Sequence, residues 1–125
     1  MSAVILLPGA RVLRLDDAGI ALEIPVDPAA PVFAGHYPAF PLLPGVFTLD
    51  AVHQAVLRHA GEREGVRPEL DEVRSVRFAS PVFPGDVLTV DCVITCADGV
   101  RDVRARCGTA RGKTATLRLR YRDPS

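Results

Sequence analysis

The chain has 125 residues, of which 48% are apolar and 24% charged, and its formal net charge is zero. That balance excludes a global field aimed at nucleic acid, and no apolar run approaches the roughly 18 residues a membrane span needs. The short apolar start at residues 3–7 lacks the basic flank of a secretory signal, so a single cytoplasmic domain over residues 1–125 is expected.

Two apolar runs, residues 11–15 and 20–26, flank Asp16-Asp17-Ala18-Gly19, a turn signal that predicts a hairpin. Pro25, Pro28 and Pro31 end the second strand and hold the following chain extended. Pro38, Pro41 and Pro44 then recur every third residue, which forbids a regular helix and stiffens the loop that carries His36. Pro44 and Gly45 open a helix in which Val46, Leu49, His53, Val56 and Leu57 follow helical spacing. Phe47, Ala51, Val52 and Ala55 make its other faces apolar too, so the helix is expected to be buried nearly all round, ending at Gly61. The polar run 62–69 reads as a surface connection.

Four strand candidates follow, at residues 73–79, 87–96, 100–110 and 113–122, with Asp98-Gly99 and Arg111-Gly112 as hairpin turns. The last strand alternates: Ala115, Leu117, Leu119 and Tyr121 share one face, and Thr114, Thr116, Arg118, Arg120 and Arg122 the other. Two strands, one buried helix and four more strands predict an α+β domain, a long antiparallel sheet curled around a central helix. Charge is uneven along the chain: residues 101–125 hold eight bases and two acids, against seven bases and thirteen acids before them. Arg104, Arg106, Arg118 and Arg120 therefore form a basic strip suited to an acidic partner. Cys92 and Cys96, if on one strand, lie about 13 Å apart, too far for a disulfide. With Cys107 they read as three buried thiols in a reducing compartment.

The chemistry concentrates in residues 35–54, GHYPAFPLLPGVFTLDAVHQ. Asp50 lies between Leu49 and Ala51, with Val46, Phe47 and Gln54 one turn away. A carboxyl group there loses hydration, which favours its protonated form and makes it a proton donor. The first amides of a helix have no internal partner and sit at the positive end of its dipole. Gly45, without a Cβ, lets a thioester carbonyl approach those amides, which would stabilise the enolate formed when an alpha proton leaves. His36 then serves as base on the alpha carbon and Asp50 as acid on the departing hydroxyl, leaving an unsaturated thioester and water. His53 and His59 rank as structural, and no residue set has metal-ligand spacing.

Gly35-His36-Tyr37-Pro38, Pro41, Pro44-Gly45, Asp50-Ala51 and Gln54 resemble the signature of the beta-hydroxyacyl-acyl-carrier-protein dehydratases (FabA/FabZ-like), and Arg77-Phe78 with residues 81–86 resemble that family's strand-and-turn segment. The resemblance implies a hotdog fold: a six-stranded antiparallel sheet wrapped around one long helix. It implies His36, Asp50 and Gly45 as catalytic, with Tyr37, Pro44, Val46, Gln54 and Phe83 binding substrate. It also implies a dimer in which His36 of one subunit faces Asp50 of the other, formed with itself or with a related hotdog subunit. No cofactor is implied, since the substrate rides on the 4'-phosphopantetheine of acyl carrier protein. Expected is removal of water from a (3R)-hydroxyacyl thioester in fatty-acid or polyketide synthesis. Two alternatives stand beside it: an acyl thioesterase of the same fold, and one subunit of a heterodimeric polyketide dehydratase.

Overall fold

A computed structural model describes residues 8–29 and 43–124. The order is β1 (Arg11–Asp16), β2 (Gly19–Pro25), α1 (Gly45–Glu64), β3 (Glu69–Phe78), β4 (Val87–Ala97), β5 (Val100–Thr109) and β6 (Gly112–Arg122). The six strands form one antiparallel sheet in the spatial order β1-β2-β4-β5-β6-β3. This is the hotdog arrangement, and each predicted strand is present.

Alternation fixes which side of the sheet is wet. Along β4, Leu88, Val90, Cys92 and Ile94 are buried and their neighbours exposed; along β5, Arg101, Val103, Ala105 and Cys107 repeat the pattern. With Ile20, Leu22 and Ile24 from β2 and Leu117, Leu119 and Tyr121 from β6, these residues make one apolar surface. The helix lies across β2, β4 and β5 and presents Thr48, Ala51, Val52, Ala55, Val56, His59 and Ala60 to it. Those positions recur at three- and four-residue steps, so the contact is one stripe of the helix.

The helix is not enclosed on every side, as its composition predicted. Val46 is 58% exposed, and Phe47, Leu49 and Leu57 are only half-buried. One curved sheet reaches one side of a helix, and the opposite apolar face of α1 is left for something else to cover. The helix also continues past Gly61 to Glu64. Its stop is Gly65, in the left-handed region at φ 67°, and the N–H groups of Gly65 and Val66 donate back to the carbonyls of Gly61 and Ala60. Gly61 keeps helical geometry, so the polar run that follows it is helix for its first turn. No helix among the described residues is long and apolar enough to cross a membrane.

Two polar ties fix the helix against the sheet. His59 is buried, and its Nε2–H donates to the Asp16 carbonyl in the β1–β2 turn at 2.7 Å, while Arg63 pairs with Asp17 in the same turn. Arg101 on β5 is fully buried and donates to Asp123 at 2.6 Å and to Glu64, the last helical residue, at 3.0 Å. Cys92 and Cys107 are buried as expected, but Cys96 is exposed near the end of β4, where inward alternation has ended. At the sheet's edge, β3 pairs with β6 alone among the described residues and leaves Leu70, Val73 and Phe78 substantially exposed.

Candidate active site

His36 and Tyr37, the expected base and its neighbour, lie outside the described residues. The remaining site residues fall on the helix and around its start. Pro44 is the N-cap, with extended backbone and no side-chain cap bond, and no acidic residue occupies the first turn. Proline at this position has no N–H to offer, so the exposed donors of the helix start are the amides that follow it. Leu43 N–H donates to the Val82 carbonyl at 2.9 Å, which pins the start of the helix to the loop between β3 and β4.

A cavity of about 380 Å³ opens at this end, lined by Leu43, Gly45, Thr48, Phe78, Val82 and Thr114. The need for glycine at position 45 has a specific cause here. A Cβ built on Gly45 would lie 2.5 Å from Cζ of Phe78, so the space a side chain would take is occupied by that ring. Phe78 is itself 58% exposed, and it forms a wall beside the first amides. Thr114 is buried, and its Oγ1 has no hydrogen-bond partner among the described residues. In the sequence Phe78 stands out only by resemblance, Thr48 carries no signal, and alternation sets Thr114 on the arginine-bearing face of the last strand, whereas the structure buries it. The available signal was an aromatic residue at the end of a strand just before a Pro/Gly turn.

Asp50 belongs to a different cavity. It is half-buried rather than buried, and with Gln54, Leu22, Ile24, Arg58 and Arg67 it lines a space of about 470 Å³. Gln54 Nε2 donates to Asp50 Oδ1 at 3.5 Å, one helical turn away. Arg67 reaches this space from the loop after the helix, a neighbour no sequence pattern indicated. On the same helix, His53 Nδ1 and the Tyr121 hydroxyl are 2.7 Å apart, with the rings stacked at 5.7 Å. Burial holds the His53 imidazole below its ordinary basicity; Asp50 opposes this and Arg67 adds to it. Burial foremost, with Cys92 and Asp50, makes the Tyr121 phenol harder to ionise. Asp50 thus stands beside a neutral, hydrogen-bonded imidazole–phenol pair.

The two cavities follow from helical geometry. Five residues separate Gly45 from Asp50, a rotation of about 140° and a rise of about 7.5 Å. Within one chain the helix start and the carboxylate therefore face different ways. Of the other expected binding residues, Val46 is on the exposed side of the first turn and Gln54 adjoins Asp50. Phe83 lines neither cavity. Its N–H donates to Asp86 Oδ2 at 2.7 Å, and Arg111, which pairs with Asp86, stacks over its ring at 4.9 Å. That turn directs the ring outward. No cluster of three metal-ligating side chains occurs among the described residues.

The family model described as ApeI-like, ApeI dehydratase, matches residues 13–116. A 3-hydroxyacyl-[acyl-carrier-protein] dehydratase FabZ of Aromatoleum aromaticum is 36% identical over 115 residues, covering 85% of this chain and 78% of its relative. The protein of the same name from Thermus thermophilus is 36% identical over 85 residues, 65% of this chain and 60% of its own length. Among solved structures, the dehydratase heterocomplex ApeI:P from Xenorhabdus doucetiae superimposes with a TM-score of 0.70 at 19% identity, over 91% of this chain and 98% of the other. That last likeness is one of fold.

Proposed function

We propose the reaction of this chain from one premise: it belongs to the ApeI-like family of dehydratases. It is a hydro-lyase that removes water from a 3-hydroxyacyl thioester carried on acyl carrier protein, in fatty-acid or polyketide synthesis. His36 takes the alpha proton, the uncapped amides at Gly45 hold the developing enolate oxygen, and Asp50 gives its proton to the leaving hydroxyl. Gln54, which donates to Asp50, fixes the carboxyl rotamer. No cofactor takes part in these steps.

The observation that carries this reading is the separation of Gly45 and Asp50 onto two cavities. The family resemblance pairs His36 of one subunit with Asp50 of the other. An acid 140° around the helix is supplied most directly by a second copy, packed on the apolar face that the sheet leaves uncovered. Two such copies would assemble two equivalent sites. A related hotdog chain in place of the second copy is the variant to test, since ApeI is seen in a heterocomplex. Hydrolysis of the thioester, the alternative chemistry on this fold, is not favoured by relatives that bear dehydratase names.

Incubating the purified protein with a 3-hydroxyacyl carrier protein and following the carrier by mass spectrometry should show loss of water. His36→Ala and Asp50→Asn should each abolish it. Mixing those two inactive variants should restore part of the activity, because a mixed dimer keeps one intact site. Free acid as product, or full turnover in either variant, would end this reading.

A further inference from the structure

Most arginines of this chain meet a carboxylate: Arg11 with Glu23, Arg14 with Asp91, Arg58 with Glu62, Arg111 with Asp86, Arg122 with Asp71. Five do not. Arg74, Arg77, Arg104, Arg106 and Arg118 make no ion pair among the described residues, and all five are exposed. They are scattered over 45 positions of sequence, yet sheet topology collects them on the convex face of β5, β6 and β3. Arg104 lies directly opposite Arg118, and Arg106 and Arg77 flank Thr116 from either side. Like charges directly opposite on a sheet destabilise it, and nothing in the fold requires arginine at exposed positions. Of the carboxylates on this face, Asp91 and Asp102 are engaged by Arg14 and Arg120, and Glu72, opposite Arg120, makes no ion pair with any of the five.

We propose that this convex face is a docking surface for an acidic protein helix, and that the partner is the carrier that presents the acyl thioester; this partner assignment rests on the dehydratase reading above. Two shallow grooves, of about 390 and 420 Å³, cross the face and share Arg104 and Arg118. Val93, 51% exposed, gives the first an apolar contact. Three neighbouring strands span about 10 Å, the width of one α-helix and too narrow a track for a duplex. Neither groove is lined by an aromatic side chain on which a base would stack, which argues against single-stranded nucleic acid. The face is also continuous with the site. Arg77 points outward, and the next residue, Phe78, points inward to pack on Gly45. A carrier held at this edge stands at the strand that walls the helix start.

The test compares two substrates that differ only in the carrier: a 3-hydroxyacyl carrier protein and the same acyl group on pantetheine. Arg104→Glu with Arg118→Glu should raise KM for the carrier substrate about tenfold at low ionic strength, since rim charges act chiefly on encounter. The effect should shrink as salt is added, and kcat/KM for the pantetheine substrate should not change. Arg104→Gln with Arg118→Gln should give a smaller effect in the same direction. That pair removes a repulsion, so its thermal unfolding midpoint should not fall. Unchanged KM for the carrier substrate, an equal loss on both substrates, or tighter binding of the wild type to duplex DNA than to the carrier overturns the proposal. Absence of turnover on either substrate by the wild-type protein would instead defeat the dehydratase reading.

Discussion

Gly45→Ala separates the role of the helix start from that of packing. The new Cβ would lie 2.5, 3.0 and 3.1 Å from three atoms of the Phe78 ring, against an ordinary carbon contact of about 3.5–4.0 Å, so the ring must retreat by about 1 Å. Overpacking typically costs about 1–3 kcal/mol. Phe78 is 58% exposed and free to move outward, which keeps the cost at the low end. Alanine returns part of it, about 0.5–1 kcal/mol, by restricting the unfolded chain and favouring the helix. The fold should therefore survive, with a net loss of about 1 kcal/mol measured by urea unfolding. Catalysis should fall much further. Obstructing one oxyanion donor costs about 3 kcal/mol, a loss of roughly a hundredfold in turnover. Repeating the substitution in a Phe78→Ala background removes the clash, so stability should recover while turnover stays low. Enoyl thioester formation within about twofold of the parent in that background would refute the use of these amides.

Arg101→Met should destabilise the protein by about 1–2 kcal/mol in urea unfolding, because Asp123 and Glu64 lose charge-assisted bonds but are exposed enough for water to replace them. Arg101→Lys should recover little of this, since one ammonium cannot serve both carboxylates as the guanidinium fork does. Because His53 binds its proton more weakly folded than unfolded, the unfolded chain takes up the extra proton as pH falls below about 6.5. Its contribution to stability is complete above that pH and is lost as pH falls to its lowered native value; His53→Asn should flatten this part of a stability–pH curve. Burial pushes the Cys92 and Cys107 thiols up to about 12, so alkylation of the native protein at mildly alkaline pH should modify Cys96 alone, and all three after denaturation, as read by mass spectrometry.

Much of the fold was legible because each strand carries its own burial signal. Leu88-Val90-Cys92-Ile94 and Leu117-Leu119-Tyr121 alternate cleanly, and turn residues mark the hairpins. The start of α1 was equally plain, since Pro44-Gly45 ends a proline-spaced run. What misled was reading residues without their distant neighbours. Gly61 resembles a helix stop, but of the two it is Gly65 that adopts the left-handed geometry, and the last turn is held by Arg101, which donates from β5 to Glu64. The composition of α1 announced an apolar surface but not that part of it lies beyond the reach of one sheet. The four-residue spacing sets Gln54 one turn from Asp50, and the fold adds a bond from its amide to that carboxylate. Arg67, Phe78 and the His53–Tyr121 bond were not foreseen, because each joins residues brought together only by the fold.

The placement of β3 beside β6 has a consequence for synthesis. β3 leaves the ribosome well before β6, its one ladder partner among the described residues: 33 residues, numbered 79–111, separate Phe78 from Gly112. At about 5–20 residues per second, that interval lasts several seconds. Throughout it Leu70, Val73, Val76 and Phe78 trail from the nascent chain with no ladder to join. A chaperone that recognises short apolar segments has its window there, and it closes when the last strand emerges.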